Sequence, residues 1–264
     1  MSQVPQKSLD RAIERFAEIW GQFWDDPGYI PSEFELRLFE REAQKALKND
    51  PGQANALLGG VAVLRRDPKT MMRCYSQALH HDHTTGSNHY NYLAALSQFG
   101  AFPKGLALTK QLLALDNSNP LFLQGCLLTA LGAGRFQESL RFGQQWQALN
   151  PDKSIHGIET HHEIIDFLTS HDITDQDVEH YLSPIFSLFW ERGVLVFDVR
   201  PTLHFEENEG WVSLKYVLRA TVEESVELGW EANNRLGLDE RSEKIFRYVT
   251  PDFVGVVPDN GNNA

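Results

Sequence analysis

The chain has 264 residues, 42% of them hydrophobic, and a formal net charge of −12, which is material for one large domain or two modest ones with a real core. The excess of acid argues against phosphate backbones and anionic membrane surfaces as ligands, because both would be repelled. No apolar run approaches the ~20 residues of a membrane span, and the start MSQVPQKSLD lacks the basic-then-apolar pattern of a secretory signal, so a cytoplasmic location is expected.

The charge is unevenly spread. From residue 171 onward there are 18 acidic and 8 basic side chains, a balance of −10, whereas the first 170 residues carry 18 and 16, a balance of −2. A solvated acidic surface that favours solubility accounts for this, and it leaves basic proteins or peptides open as partners. Cys74 and Cys126 fall among apolar neighbours without a CxxC spacing, which predicts buried reduced thiols.

The first element is a helix in which Leu9, Ile13, Phe16, Trp20 and Phe23 recur at three- and four-residue intervals. Asp26-Pro27-Gly28 and Pro31 break it. Packing of this helix on whatever follows is the first reading, and a partner-binding or dimerising role is the second.

Self-similarity begins next. Amphipathic runs end on Asp50, Asp82, Asp116 and Asn150, spaced by 32, 34 and 34 residues. Gly100-Ala101-Phe102 and Gly134-Arg135-Phe136 are also 34 apart. Each glycine falls between two helical stretches, where a left-handed residue ends a helix, and each aromatic can wedge between the helices of a hairpin. Leu58, Gly59, Tyr75 and Ala78, then Tyr92, Leu93 and Leu96, then Ala130, Gly134, Phe136 and Ser139 match in part the packing positions of a known repeat family, with Pro51 and Pro151 closing two units. Across residues 34–151 this resembles the tetratricopeptide repeat, a helix–turn–helix unit of about 34 residues. The pattern departs from the family at the characteristic Trp, which is missing, and at Met71, where a small residue is usual.

One hairpin cannot bury its apolar face alone, so neighbours must stack and the last needs a cap. Ile155, Ile158, His162, Ile165 and Leu168, within residues 154–169, have the spacing to supply it.

After His171 the pattern changes. A helix is predicted over 174–192, opened by Thr174 and closed by Gly193, with Pro184 as a point of kinking or breakage. Val194–Phe205 and Trp211–Ala220 read as a hairpin of strands joined by Glu206–Gly210. Thr221-Val222-Glu223-Glu224 is a capping box opening a second helix to about Leu236. Phe246–Val257 reads as a last strand, interrupted by Pro251. The expected fold is therefore mainly α: a tetratricopeptide-like helical-hairpin array followed by a small α+β domain in the order α-β-β-α-β. The expected organisation is 1–31, an amphipathic helix and linker; 32–170, the repeats and capping helix; 171–257, an acidic α+β domain; and 258–264, a polar tail expected to be disordered.

Chemistry is sparse. His80, His81, His83 and His89 form one cluster, and His156, His161 and His162 lie near Glu159 and Glu163, but His161 and Glu163 lack the i, i+4 spacing that sets two ligands on one helix face, and the sequence has no HExxH. The doublets Asp25-Asp26, Glu206-Glu207 and Glu223-Glu224 diverge on either a helix or a strand. GxSxG, Walker and GxGxxG patterns are absent from the sequence. No catalytic residue, metal ligand or cofactor is assigned.

The resemblance implies a concave groove lined by the first helix of each hairpin. Carried onto this sequence, its positions are Gln53, Ala56, Leu57, Gly60, Val63 and Leu64; then Ser87, Tyr90, Asn91, Ala94, Ser97 and Gln98; then Leu121, Gln124, Gly125 and Leu128. None is basic, so a groove with apolar anchors for an extended or helical protein segment is implied, unless the chain's own helix Ser8–Trp24 fills it. The function expected is a non-enzymatic protein–protein interaction module: adaptor, chaperone-like or inhibitory. The alternatives are an enzyme with its site in the C-terminal α+β domain, or a self-assembling protein that forms a homodimer through the N-terminal helix.

Overall fold

The computed structural model describes residues 4–82, 86–153, 158–207, 209–236 and 240–258. They hold α1 (Val4–Asp25), α2 (Glu33–Ala46), α3 (Pro51–Leu64), α4 (Pro68–His81), α5 (Gly86–Gln98), α6 (Phe102–Leu115), α7 (Pro120–Gly132), α8 (Phe136–Leu149), α9 (Ile158–Ser170) and α10 (Asp175–Arg192). Then come β1 (Val196–Glu206), β2 (Glu209–Leu218), α11 (Val222–Arg235), α12 (Glu240–Phe246) and β3 (Val249–Gly255). The fold is mainly α: short helices packed in neighbouring pairs, followed by a small sheet with its own helices. Two compact units are present, Met1–Ala95 and Leu96–Ala264.

In the first unit α1 lies on α2 and α3, and α3 pairs with α4. Leu9, Ala12, Ile19 and Phe23 form the buried seam of α1, while Ile13, Phe16 and Trp20 are half-buried. The Phe16 ring meets Phe39 edge-on at 5.4 Å. Ser32 caps α2 with Glu35 as its reciprocal partner, satisfying two donors that the first turn leaves open. The α3–α4 hairpin closes through Gly59, where an added Cβ would sit 2.7 Å from the Tyr75 ring.

The turns between paired helices repeat a geometry that the residue types hide. Gly100 and Gly134 have φ of 64° and 75°, as their positions in the sequence predict, and Arg66 adopts the same left-handed conformation at 55°. All three close the preceding helix with paired backbone bonds, such as Arg66 N–H to the Val63 carbonyl and Asp67 N–H to the Ala62 carbonyl, both 2.9 Å. Residues 66, 100 and 134 stand 34 apart, so the period extends one hairpin earlier than the glycines reveal.

The second unit takes in α6–α9 together with the sheet, across the change of pattern at residue 171. Its core is aromatic: Tyr216 of β2 stacks on Phe253 at 6.0 Å and meets Phe189 at 5.4 Å, and Phe102 meets Phe186 at 5.3 Å. The buried Tyr216 hydroxyl donates to the Gly132 carbonyl at 3.0 Å, an oxygen that the end of α7 leaves without a helical partner. α8 has no cap of its own from Arg135. The Asp175 carboxylate serves instead, accepting from the Gln137 and Glu138 amides at 3.1–3.2 Å, and Arg135 pairs with Glu179 beside it.

The sheet order is β1-β2-β3, with β1 and β2 antiparallel and β2 and β3 parallel. A parallel return needs a crossover of a dozen or more residues, and α11 and α12 provide it. α12 is the departure from the expected order: Phe246 ends a helix instead of opening a strand, and the element order is α-β-β-α-α-β. Pro251 does not interrupt β3, and Pro201 does not interrupt β1, because each lies in an outer strand of this sheet, where a missing N–H is tolerated. α10 runs unbroken past Pro184 to Gly193, whose φ of 59° ends it.

Candidate functional site

The groove positions meet different fates in the two units. α3 is apolar nearly all round, and a helix of that kind is drawn into a core. Leu57 is 4% exposed, Leu64 and Val63 are equally enclosed, and only Gln53 of that set is open to solvent. Gly60 lies directly beneath the Phe16 ring, where an added Cβ would come within 2.6 Å of it. In this unit the face of α3 that carries Gly60 is therefore covered by the chain's own first helix. On α5, Ser87 and Asn91 are exposed, and Tyr90 and Ala94 are half-buried. Burial raises the Tyr90 phenol above its ordinary pKa, which keeps it neutral.

In the second unit, Ser97 and Thr129 share a 2.8 Å hydrogen bond, and Thr129 also donates to the Gly125 carbonyl. Gln98 is half-buried, with its Oε1 enclosed and unmatched by a donor. Leu121 and Leu128, two turns apart on α7, are 47% and 48% exposed, with exposed Gln124 between them. α7 buries its other side through Phe122, Leu123, Cys126 and Ala130.

Both cysteines are free and buried, and burial pushes the Cys126 thiol up to about 12, so it stays protonated. His80 and His81 are exposed in the last turn of α4, with their rings 5.3 Å apart. Among the described residues no group of three or more His, Cys, Asp or Glu is placed to hold a metal ion. His83, His156 and Ile155 lie outside the described residues. Among the described residues, no helix is long and apolar enough to cross a membrane.

The α9 face differs from the expected one. Ile164 and Leu168 are buried with His161, while His162 is exposed. The Ile164-Ile165 doublet allows two helical phases, and packing selects the one that encloses an imidazole. His161 Nδ1 has no hydrogen-bond partner, and burial, aided by His162, holds its pKa below the ordinary 6.5. The folded chain then binds this proton less tightly than the unfolded chain, so the contribution is intact above about pH 6.5 and is lost as pH falls toward the folded pKa. Thermal unfolding of the wild type is expected to drop between pH 7 and pH 5 by more than that of His161→Leu, whereas His162→Gln should keep most of the wild-type slope. Equal slopes in wild type and His161→Leu would remove His161 as the cause.

A shallow cleft of about 410 Å³ between α1 and α2 has an apolar floor of Ala12, Leu38 and Phe39 and a rim of Arg11, Arg15 and Glu42. The sequence reading did not anticipate it, nor the outer side of α11, where Val222, Val226 and Trp230 are exposed. Their four-residue spacing is visible in the sequence, but so is that of Leu228 and Ala232, and only packing decides which set turns inward.

No protein-family model matches this sequence, and a search of curated proteins found no match.

Proposed function

We propose that this chain is a non-enzymatic protein-binding module of tetratricopeptide-like build that works in the cytoplasm as an adaptor, chaperone-like or inhibitory protein. The observation that carries the reading is the pair Leu121 and Leu128 on α7, each nearly half exposed and separated by two turns, with Gln124 between them. Two apolar anchors flanking an amide suit an extended or helical segment, whose backbone or polar groups Gln124 can bond. The tetratricopeptide-like assignment is supported by the 34-residue spacing of the left-handed turn residues 66, 100 and 134 and by the close Gly59–Tyr75 approach. Dimerisation through α1 gains no support from the first unit, where its buried seam is spent on α2 and α3.

The test is affinity capture from the native lysate with wild type and with Leu121→Asp/Leu128→Asp. Both side chains are about half exposed, so the double variant should lose about 1 kcal/mol per site and stay folded. A partner held by wild type and lost from the folded variant is the result expected. A partner retained at wild-type level would remove α7 as the binding face.

A further inference from the structure

α11 has two apolar sides. Its inner side, with Ser225, Leu228 and Ala232, is buried in the second unit. On the outer side Val222, Val226 and Trp230 follow one another at i, i+4 and i+8 and are 57%, 54% and 71% exposed. Those positions form a continuous stripe, because residues four apart lie one above the other on a helix. One residue further on, about 100° round the axis, runs a second stripe of exposed carboxylates, Glu223 and Glu227. Neither has a cation partner among the described residues. The next acid in that row, Glu231, is already engaged by Arg192 at 2.6 Å and Arg235 at 2.7 Å, and Arg235 also reaches Glu191 at 2.9 Å. These pairs tie α11 to α10 and leave Glu223 and Glu227 as the uncommitted charges.

We infer that the Val222–Val226–Trp230 stripe with its Glu223–Glu227 flank is a docking surface for a basic amphipathic helix of another protein. The apolar stripe supplies the contact that a helix with anchors at i, i+3 or i+4 and i+7 would bury, with Trp230 as the large anchor at its C-terminal end. The acidic flank selects Lys or Arg on one side of that helix and repels an acidic one. A second copy of this chain is the wrong occupant. Antiparallel self-pairing about the centre of α11 sets Glu227 against Glu227 of the copy, in a region whose balance beyond residue 170 is already −10.

The probe is a synthetic helical peptide with leucines at i, i+3, i+4 and i+7 and lysines on one adjoining flank. It is compared with the same leucine face flanked by glutamates, each dye-labelled and titrated with the full chain. Binding of the lysine peptide is expected at least about tenfold tighter than that of the glutamate peptide, and Val226→Asp or Trp230→Ala should weaken it about tenfold or more. Glu223→Lys/Glu227→Lys should reverse the preference between the peptides. All four positions are exposed, so circular dichroism should stay at its wild-type value, and thermal unfolding should too, apart from a small loss in Glu223→Lys/Glu227→Lys, where a lysine replaces a carboxylate in the first turn of α11. The inference fails if the lysine peptide binds equally well to Val226→Asp, which would mark diffuse attraction to an acidic protein. It also fails if neither peptide binds, if the two bind alike, or if sedimentation shows self-association that Trp230→Ala abolishes.

Discussion

Phe102→Ala is expected to cost about 3–5 kcal/mol of stability, the range for removing a fully buried aromatic ring. Phe102 opens α6, is 2% exposed, and lies between Phe186 at 5.3 Å and Tyr216 at 6.3 Å. The sharper form of the prediction is a non-additive pair. An added Cβ at Gly132 would come 2.2 Å from the Phe102 ring, far inside contact distance, with that ring pinned by its neighbours. Gly132→Ala should therefore destabilise the wild type by about 1–3 kcal/mol through overpacking. In the Phe102→Ala background the ring is gone. The new methyl then occupies part of the void, and Ala suits the last helical position of α7 somewhat better than Gly. Urea unfolding of the two single variants and the double variant closes the cycle, and a double variant no less stable than Phe102→Ala alone is the expected outcome. Strict additivity would show that the ring moves aside without cost.

The second large effect belongs to α1. Ile19 is fully buried in the seam this helix makes with its neighbours, and Ile19→Ala should cost about 2–5 kcal/mol. Phe16→Ala is the functional companion. Phe16 is only half-buried, so its loss should be milder, but it is the ring that covers Gly60. Hydrogen exchange is expected to rise across α3 in Phe16→Ala while α7 and α8 keep wild-type protection, because the covered face lies in the first unit. Unchanged protection of α3 would mean that Phe16 lies over Gly60 without excluding water from it.

The helices were legible because their signals are local. Thr174 and Thr221 accept from the third residue of their helices as the side-chain chemistry of such caps requires. Gly100, Gly134 and Gly193 mark three helix ends because glycine enters the left-handed region without a Cβ clash. Arg66 adopts that region too, held by the backbone bonds that close α3, and no residue-type rule could announce it. The groove was less legible. Family positions name the side of α3 that meets a ligand in a longer array, yet nothing local to α3 says that Phe16, 44 residues earlier, will be laid over Gly60. The α9 phase and the outer stripe of α11 share that cause. Each helix carries two plausible apolar sides, and the choice is made by elements distant in sequence.

The parallel pairing of β2 with β3 also sets an order of events. The β1–β2 hairpin pairs residues close in sequence, down to Glu206 with Glu209, and can form as soon as they meet, whereas Val212 finds Val249 only after the 36 positions between them have been arranged. Contacts of that separation form late, because loop closure must precede any return from pairing. Until then the far side of β2 is an open edge, lined with backbone donors and acceptors that any other extended chain could capture. Lys215, which ends up 4.0 Å from Asp252, sits on that edge during the interval and places a charge where a stray strand would have to pack. The time this protein spends exposed to aggregation is thus set by how fast α11 and α12 dock and deliver the last strand.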